Sequence, residues 1–183
     1  MAIYGNALNW NSDDRHCVFE SSNLKSSIVG NIYDAIVRDG GDNEVAIDNG
    51  MPIVVGDFTG DGLQTRWAKV AGKGDKIAVV GTPALIKDAH SKQSEQPYNF
   101  YNKAGSVAKA YEVVAEDIFG VSKEFVDGDV VVGATVVWNP TSGKYEVASG
   151  ATTDNGFVAK VHSIQVGTFY DLVRLFVVKN ETV

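Results

Sequence analysis

The sequence has few of the residues that form covalent cross-links or stiff linkers. It contains one cysteine, Cys17, and four prolines among 183 residues. A single cysteine excludes an intramolecular disulfide, so the stability of the fold must come from its hydrophobic core. The low proline content, against 19 glycines, favours many turns over rigid linkers.

Long apolar runs and runs of positive charge are also missing. No stretch is long and apolar enough to span a bilayer, and the first residues have neither the basic start nor the apolar centre of a secretory leader. The formal net charge is −7 and the arginines are isolated, whereas direct nucleic-acid binding needs clustered cations. We therefore expect a chain that is made in a reducing cytosol, enters no membrane and binds no nucleic acid directly.

The sequence contains no motif with a catalytic mechanism. His16, His90 and His162 stand in unrelated contexts, without a second ligand at metal-binding spacing. No G-x-S-x-G elbow occurs, and the adjacent residues His16 and Cys17 would point to opposite faces of a strand. The sequence thus predicts a protein that is not an enzyme and uses no cofactor. A small β-rich hydrolase is the alternative, and it would need a cleft that unites a histidine with two carboxylates.

One loop has some features of a cation site. The segment Val54–Thr65 resembles the calcium loop of FG-GAP propeller repeats, in which acidic or amide oxygens alternate around the ion. Asp57 and Asp61 match this pattern, but Thr59 and Thr65 stand where further oxygen ligands belong. A propeller also needs several copies of the repeat, and the sequence has one. A glycine-rich hairpin turn is the favoured interpretation.

Short apolar runs separated by turn residues dominate the chain from residue 32 onward. Turn signals recur about every 8–12 residues, a spacing typical of a sandwich or barrel. The predicted strands are Ile32–Val37, Val45–Ile47, Pro52–Val55, Thr65–Val70, Ile77–Val80, Val130–Trp138, Tyr145–Ala148, Phe157–Ile164 and Tyr170–Val178. The segment 104–115 fits both strand and helix, and its continuation into Asp117–Val121 favours strand.

These patterns predict a mainly β fold, a β-barrel or β-sandwich, in three parts. Residues 1–30 are polar with a few apolar anchors, which fits an extended N-terminal arm or, alternatively, a strand at a sheet edge. Residues 31–122 form a β-rich domain with a long aromatic-containing loop over 82–105, in which Pro83–Asp88 fits a short helical turn. Residues 123–183 form a small β-barrel-like unit, or continue the same domain.

The N-terminal arm contains three apolar residues that we expect to contact a neighbouring subunit. In an extended chain their even spacing puts the three side chains on one face. These residues are Tyr4, Leu8 and Trp10. The other two tryptophans, Trp67 and Trp138, are expected in the core.

The long loop supplies a second group of predicted contact residues. Tyr98, Phe100 and Tyr101 cluster there, and exposed aromatic side chains are typical of contact surfaces. The alternative is that these rings are buried and cover one end of a barrel.

Several segments rich in turn and small residues follow one another in a definite order. They are 74–83 (GDKIAVVGTP), 98–105 (YNFYNKAG), 110–111 (AY), 117–121 (DIFGV), 128–129 (GD), 138–140 (WNP), 143–145 (GKY) and 156–161 (GFVAKV). This order resembles that of the head decoration proteins that stabilise the capsids of tailed bacteriophages. The similarity covers roughly residues 50–178.

The resemblance implies a virion structural protein with a small β-barrel-like unit. Such a protein binds the outer surface of the phage capsid and stabilises contacts between major capsid protein subunits. The resemblance also implies a homo-oligomer, often a trimer at local three-fold axes, made in the bacterial cytoplasm and placed on the exterior of the virion. The alternative function is a carbohydrate- or host-surface-binding β-domain of a phage head or tail fibre, in which tyrosines and tryptophans stack on sugar rings.

Overall fold

The computed structural model describes residues 16–25, 31–84 and 97–183. Across these residues the chain consists of strands, turns and loops with two short 3₁₀ turns, Pro97–Asn99 and Lys123–Phe125, which confirms a mainly β fold. The strands are β1 (Phe19–Asn23), β2 (Ile32–Arg38), β3 (Pro52–Phe58), β4 (Arg66–Val70), β5 (Ala78–Val80), β6 (Ala108–Glu112), β7 (Ile118–Ser122), β8 (Val126–Asp127), β9 (Thr135–Asn139), β10 (Lys144–Val147), β11 (Phe157–Gln165) and β12 (Leu172–Asn180).

Strands β2 to β6 close into a barrel, in the order β2-β4-β3-β5-β6. β2 pairs in parallel with β4, and the other neighbouring pairs are antiparallel. The inward side chains are mostly small, because a barrel of so few strands has a narrow interior. Buried members of this set are Ala35, Val37, Ala68, Ala108 and Ala110.

The remaining strands form a seven-stranded sheet in the order β1-β7-β12-β11-β9-β10-β8. All neighbours in this sheet are antiparallel except β10 and β8. The long hairpin of β11 and β12 occupies its centre, and the strand from the N-terminal segment, β1, lies at one edge. Phe19–Asn23 is therefore an edge strand, the alternative that the sequence offered for this segment.

One hydrophobic core joins the barrel to the seven-stranded sheet. Its centre is an aromatic cluster in which the ring centroid of Tyr145 lies 6.1 Å from that of Phe119, 5.6 Å from Trp138 and 5.8 Å from Phe157. Trp138 is buried, as predicted, and its indole N–H donates to the backbone carbonyl of Ala71 beyond β4, at 2.7 Å. Indole and phenol groups need polar partners when buried, and here the barrel provides them.

The side chain of Asn180 closes the seam between the two sheets. Its Oδ1 accepts from the backbone N–H of Ile77 at 2.8 Å, and its Nδ2 donates to the carbonyls of Ile77 and Val113 at 2.8 and 2.6 Å. These bonds satisfy backbone groups at the start of β5 and just after β6, where strand pairing stops.

Two of the predicted strands are wrong in extent. Val130–Trp138 was expected to be continuous, but the strand begins at Thr135, because Gly128 and Gly133 adopt φ values of 99° and 88° and turn the chain. Val45–Ile47 forms no strand; its neighbourhood has only isolated bridges, such as that of Ile47 with Asn102. The other predicted strands agree to within about three residues at each end.

The closed barrel lies in residues 32–112, whereas the strands of the predicted C-terminal unit belong to the seven-stranded sheet. β7, at the end of the predicted segment 31–122, also belongs to that sheet. The predicted arm residues Tyr4, Leu8 and Trp10 lie outside the described residues, as does most of the predicted helical turn Pro83–Asp88.

Candidate interaction surface

The described part of the aromatic loop contains the three predicted contact residues of this segment. A 3₁₀ turn, Pro97–Asn99, carries Tyr98, and the N–H of Phe100 closes it by donating to the carbonyl of Pro97 at 3.2 Å. Tyr98 and Phe100 are half-buried, whereas Tyr101 is buried with 9% of its surface exposed. The ring of Tyr101 therefore belongs to the interior of this chain, and Tyr98 and Phe100 remain at the surface.

Tyr101 anchors the loop against the beginning of the described chain. Its ring centroid lies 4.8 Å from that of His16, and the N–H of His16 donates to the carbonyl of Tyr98 at 2.8 Å. His16 Nδ1 lies 2.8 Å from Oδ1 of Asp48, whose side chain is fully buried. The aromatic loop is thereby fixed to both the N-terminal segment and the turn before β3.

Tyr98 also contacts two aromatic residues that sequence reasoning missed. Its ring centroid lies 6.3 Å from Phe169 and 6.2 Å from Tyr170, in the loop between β11 and β12. Phe169 is 52% exposed and Val166, in the same loop, is 81% exposed. The sequence indicated only that Tyr170 begins a strand, so the one available signal was an aromatic pair beside a Gly-Thr turn. We call Tyr98, Val166, Phe169 and Tyr170 the aromatic patch.

A surface cavity of about 500 Å³ borders the aromatic patch. Phe169 and Tyr170 line it, and Val126 in β8 and Val130 in the loop after β8 contribute apolar surface to the lining. The charged residues Lys123, Glu124 and Asp171 also line the cavity. The combination of an apolar wall with a charged rim is typical of a protein-binding surface.

The adjacent residues His16 and Cys17 do not form a catalytic pair. Cys17 is buried, and desolvation raises the pKa of its thiol far above the usual value, so the thiolate required of a nucleophile is not formed. Its backbone N–H donates to Oδ2 of Asp48 at 3.4 Å. Among the other histidines, His162 is exposed on β11 and His90 lies outside the described residues.

The loop that resembled a calcium site is the hairpin turn between β3 and β4, as the favoured interpretation held. Asp61 Oδ1 accepts from the N–H of Leu63 at 2.9 Å, and this bond lowers the pKa of Asp61. Gly60 and Gly62 supply the positive φ values of the turn. In the described ranges, no group of three or more His, Cys, Asp or Glu residues is arranged to hold a metal ion.

Trp67 differs from its expected position in the core. It points outward from β4 and is half-buried, because Arg38 of the neighbouring β2 stacks on it, with the guanidinium carbon 3.1 Å from the ring centroid. The stacked pair borders a groove of about 430 Å³, and Val54 and Val70 add to its lining. Apolar and aromatic walls with a few polar groups are typical of small-molecule sites.

For the described residues, no helix has the length and apolar character needed to cross a membrane. Comparison of the chain with protein-family models, with curated proteins and with solved structures finds no match.

Proposed function

We propose that this chain is a virion structural protein that binds the outer surface of a bacteriophage capsid and stabilises contacts between major capsid protein subunits. The observation that carries the proposal is the aromatic patch beside an open cavity. Its members Phe169 and Val166 are exposed to water, and covering their apolar surface with another surface is favourable because it removes that surface from water. The order of sequence motifs that resembles head decoration proteins supports the same function.

The way the patch is held also supports a binding role. The loop that carries Tyr98 is tied to His16 and to Ile47, and the loop that carries Phe169 joins the two longest strands of the seven-stranded sheet. A surface fixed in this way loses little conformational entropy on binding, so more of the contact free energy appears as affinity.

The proposed partner is a repeating shell, with which many copies act together. This chain would bind the assembled capsid and not the separated capsid subunits. Such binding stabilises the assembled capsid by mass action. Association of this chain with itself, as a trimer or another homo-oligomer, multiplies a modest affinity through simultaneous contacts. We place the protein on the exterior of the virion, after synthesis in the cytoplasm of the bacterial host.

The direct test mixes the purified full chain with undecorated heads assembled from the major capsid protein of the same genome. We expect the chain to co-sediment with the heads in a saturable ratio and to raise the temperature at which they rupture. Failure to co-sediment, with the chain folded and the heads intact, would reject the proposal. The heads alone and the chain alone are the controls.

A carbohydrate-binding role is a second candidate, and the exposed edge of the Trp67 groove is the observation that favours it. Aromatic rings that stack on sugars are often half-exposed in shallow grooves, as Trp67 is. A glycan array probed with the full chain and with Trp67→Ala tests this role. Binding of a glycan by the full chain and its loss in the variant would support it over capsid decoration.

A further inference from the structure

Inward-facing residues at one end of the barrel change from small and apolar to polar. On β2, Tyr33 shares a face with the buried residues Ala35 and Val37, and on β4, Arg66 shares a face with Ala68. On β6, Glu112 continues the stripe of Ala108 and Ala110. The inward stripes of β2, β4 and β6 therefore terminate in side chains that can form hydrogen bonds.

The strand register brings these terminal residues to the same end of the barrel. β2 and β4 run in parallel with Ala35 opposite Arg66, and β6 runs against β2 with Ala110 opposite Tyr33. Ala78, the first residue of β5, pairs with Glu112. A cavity of about 230 Å³ opens here, and all five strands contribute to its lining, through residues that include Tyr33, Val55, Arg66, Ala78 and Glu112. We call it the barrel mouth.

One carboxylate in the barrel mouth is already paired. Lys76 Nζ contacts Glu112 Oε1, and the hydroxyl of Tyr33 donates to Glu112 Oε2 at 2.9 Å. These two donors hold the pKa of Glu112 below its usual range, so Glu112 is a carboxylate at neutral pH. Its charge and that of Lys76 cancel.

Arg66 carries a positive charge that the Lys76–Glu112 pair does not neutralise. Its guanidinium carbon lies 4.3 Å from the ring centroid of Phe58 and 5.5 Å from that of Tyr33, and its Nη1 donates to the carbonyl of Gly56 at 3.2 Å. A guanidinium has five N–H donors in a planar fork, which matches the two oxygens of a carboxylate. The barrel mouth thus has a net positive charge in a chain of net charge −7.

We propose that the barrel mouth binds a small organic carboxylate, with its carboxylate on Arg66 and its apolar part on Val55, Ala78 and the ring of Tyr33. Mouths of β-barrels are common ligand sites, and apolar walls with a few converging polar groups are typical of them. Because Lys76 already neutralises Glu112, the charge of the ligand is drawn towards Arg66. The capsid contact proposed above uses none of these residues.

Benzoate is the probe, because it joins a carboxylate to a flat apolar ring, and benzamide is its uncharged control. Nuclear magnetic resonance of the full chain follows the backbone signals of β2, β4 and β6 and the Nε–H signal of Arg66. We expect benzoate to shift signals around Tyr33 and Arg66 in a saturable manner, and benzamide to leave them in place. Equal shifts with both compounds, or no shift at about 10 mM benzoate, would overturn the proposal.

Two variants of β4 separate the role of Arg66 from general charge effects. Arg66→Gln is expected to weaken benzoate binding at least about tenfold. Lys69→Gln removes the same charge from the exposed face of the same strand and should bind benzoate as the unchanged chain does. If Arg66→Gln fails to give a dispersed spectrum, Arg66→Lys, which keeps the charge but loses the fork, replaces it. Unchanged affinity in the folded Arg66 variant rejects the site.

The source of the carboxylate is tested by competition. A short peptide with one glutamate is added to the benzoate complex. Weaker binding of the peptide agrees with a free small carboxylate as ligand. A peptide that displaces benzoate at lower concentration would assign the site to the acidic side chain of a partner protein and would overturn the small-ligand assignment.

Discussion

The hydroxyl of Tyr145 donates a hydrogen bond to the backbone carbonyl of Gly50 over 2.9 Å, and this bond joins the seven-stranded sheet to the barrel. Tyr145 lies in β10 and Gly50 just before β3, and both residues are buried. Because a buried carbonyl cannot turn towards water, the bond fixes how β10 meets the entrance to β3. The phenol is the polar edge of an otherwise apolar cluster.

Tyr145→Phe removes this hydrogen bond without changing the shape of the ring. The carbonyl of Gly50 then stays buried without its partner, so we expect the free energy of unfolding to fall by about 1–3 kcal/mol. Urea unfolding followed by fluorescence gives this value. A variant as stable as the original chain would show that the carbonyl finds another donor and that the bond does not hold the two sheets together.

Gly81→Ala tests how closely the N-terminal strand approaches the barrel. A Cβ at Gly81 would collide with the ring of Phe19 in β1 and would lie 2.8 Å from Cε2 of Tyr111. We expect a loss of about 1–3 kcal/mol in the free energy of unfolding, from forced movement of these rings. Gly150→Ala is the matched control, because a Cβ there meets no atom within 4 Å. Similar losses in both variants would contradict the close approach.

The buried thiol of Cys17 makes stability depend on pH in the alkaline range. Desolvation raises the pKa of Cys17 in the folded chain, whereas an unfolded thiol titrates near pH 8.5. Above about pH 8.5 the unfolded state releases a proton that the folded state keeps, so the free energy of unfolding falls as pH rises, by up to about 1.4 kcal/mol per pH unit. Below that pH the thiol has no effect on this slope.

Urea unfolding in reducing buffer from about pH 7 to pH 10 measures this slope. Cys17→Ala lacks the thiol, so its stability should decline less steeply over the same interval, whatever its absolute stability. Equal slopes in the two proteins would show that the thiol ionises in the folded chain. The hydroxyl of Tyr145, whose pKa burial also raises, contributes equally to both proteins above about pH 10.

Phe169→Ala tests the aromatic patch in the proposed capsid contact. Phe169 is exposed, so its loss should leave folding unchanged, while head binding weakens by about 2 kcal/mol, or roughly thirtyfold, if this ring is a central anchor. Leu63→Ala is the control, since Leu63 on the β3–β4 hairpin is also exposed, at 66% against 52% for Phe169. Co-sedimentation at several concentrations gives both affinities. A greater loss of head affinity with Leu63→Ala would indicate that the β3–β4 hairpin, and not the aromatic patch, forms the capsid contact.

The strand pattern could be predicted because alternation of apolar residues and turn residues is local. Ile32–Val37 and Phe157–Ile164 were predicted from β-branched side chains and flanking turns, and both are strands with small changes at their ends. Val130–Trp138 was overextended, since Val130, Val131 and Val132 favour strand by propensity. The glycines on either side of them turn the chain instead.

The residues that meet in the candidate surfaces could not be predicted in the same way. His16, Asp48 and Tyr101 are far apart in the sequence, and no spacing rule connects them. Tyr98 meets Phe169 for the same reason: two loops lie side by side only after the sheet and the barrel have packed. Tyr101 illustrates the difference, because an aromatic residue in a loop is equally compatible with surface and interior until its neighbours are known.

The sequence by itself determined that this chain is a β protein with one cysteine, an acidic surface and no catalytic motif, because composition and short-range periodicity act within a few residues. The tertiary structure alone decided that strands 32–112 close into a barrel, that Trp67 faces outward under Arg38, and that Tyr33, Arg66 and Glu112 share one opening. These relationships depend on register and closure, which long-range pairing sets and which no local pattern encodes.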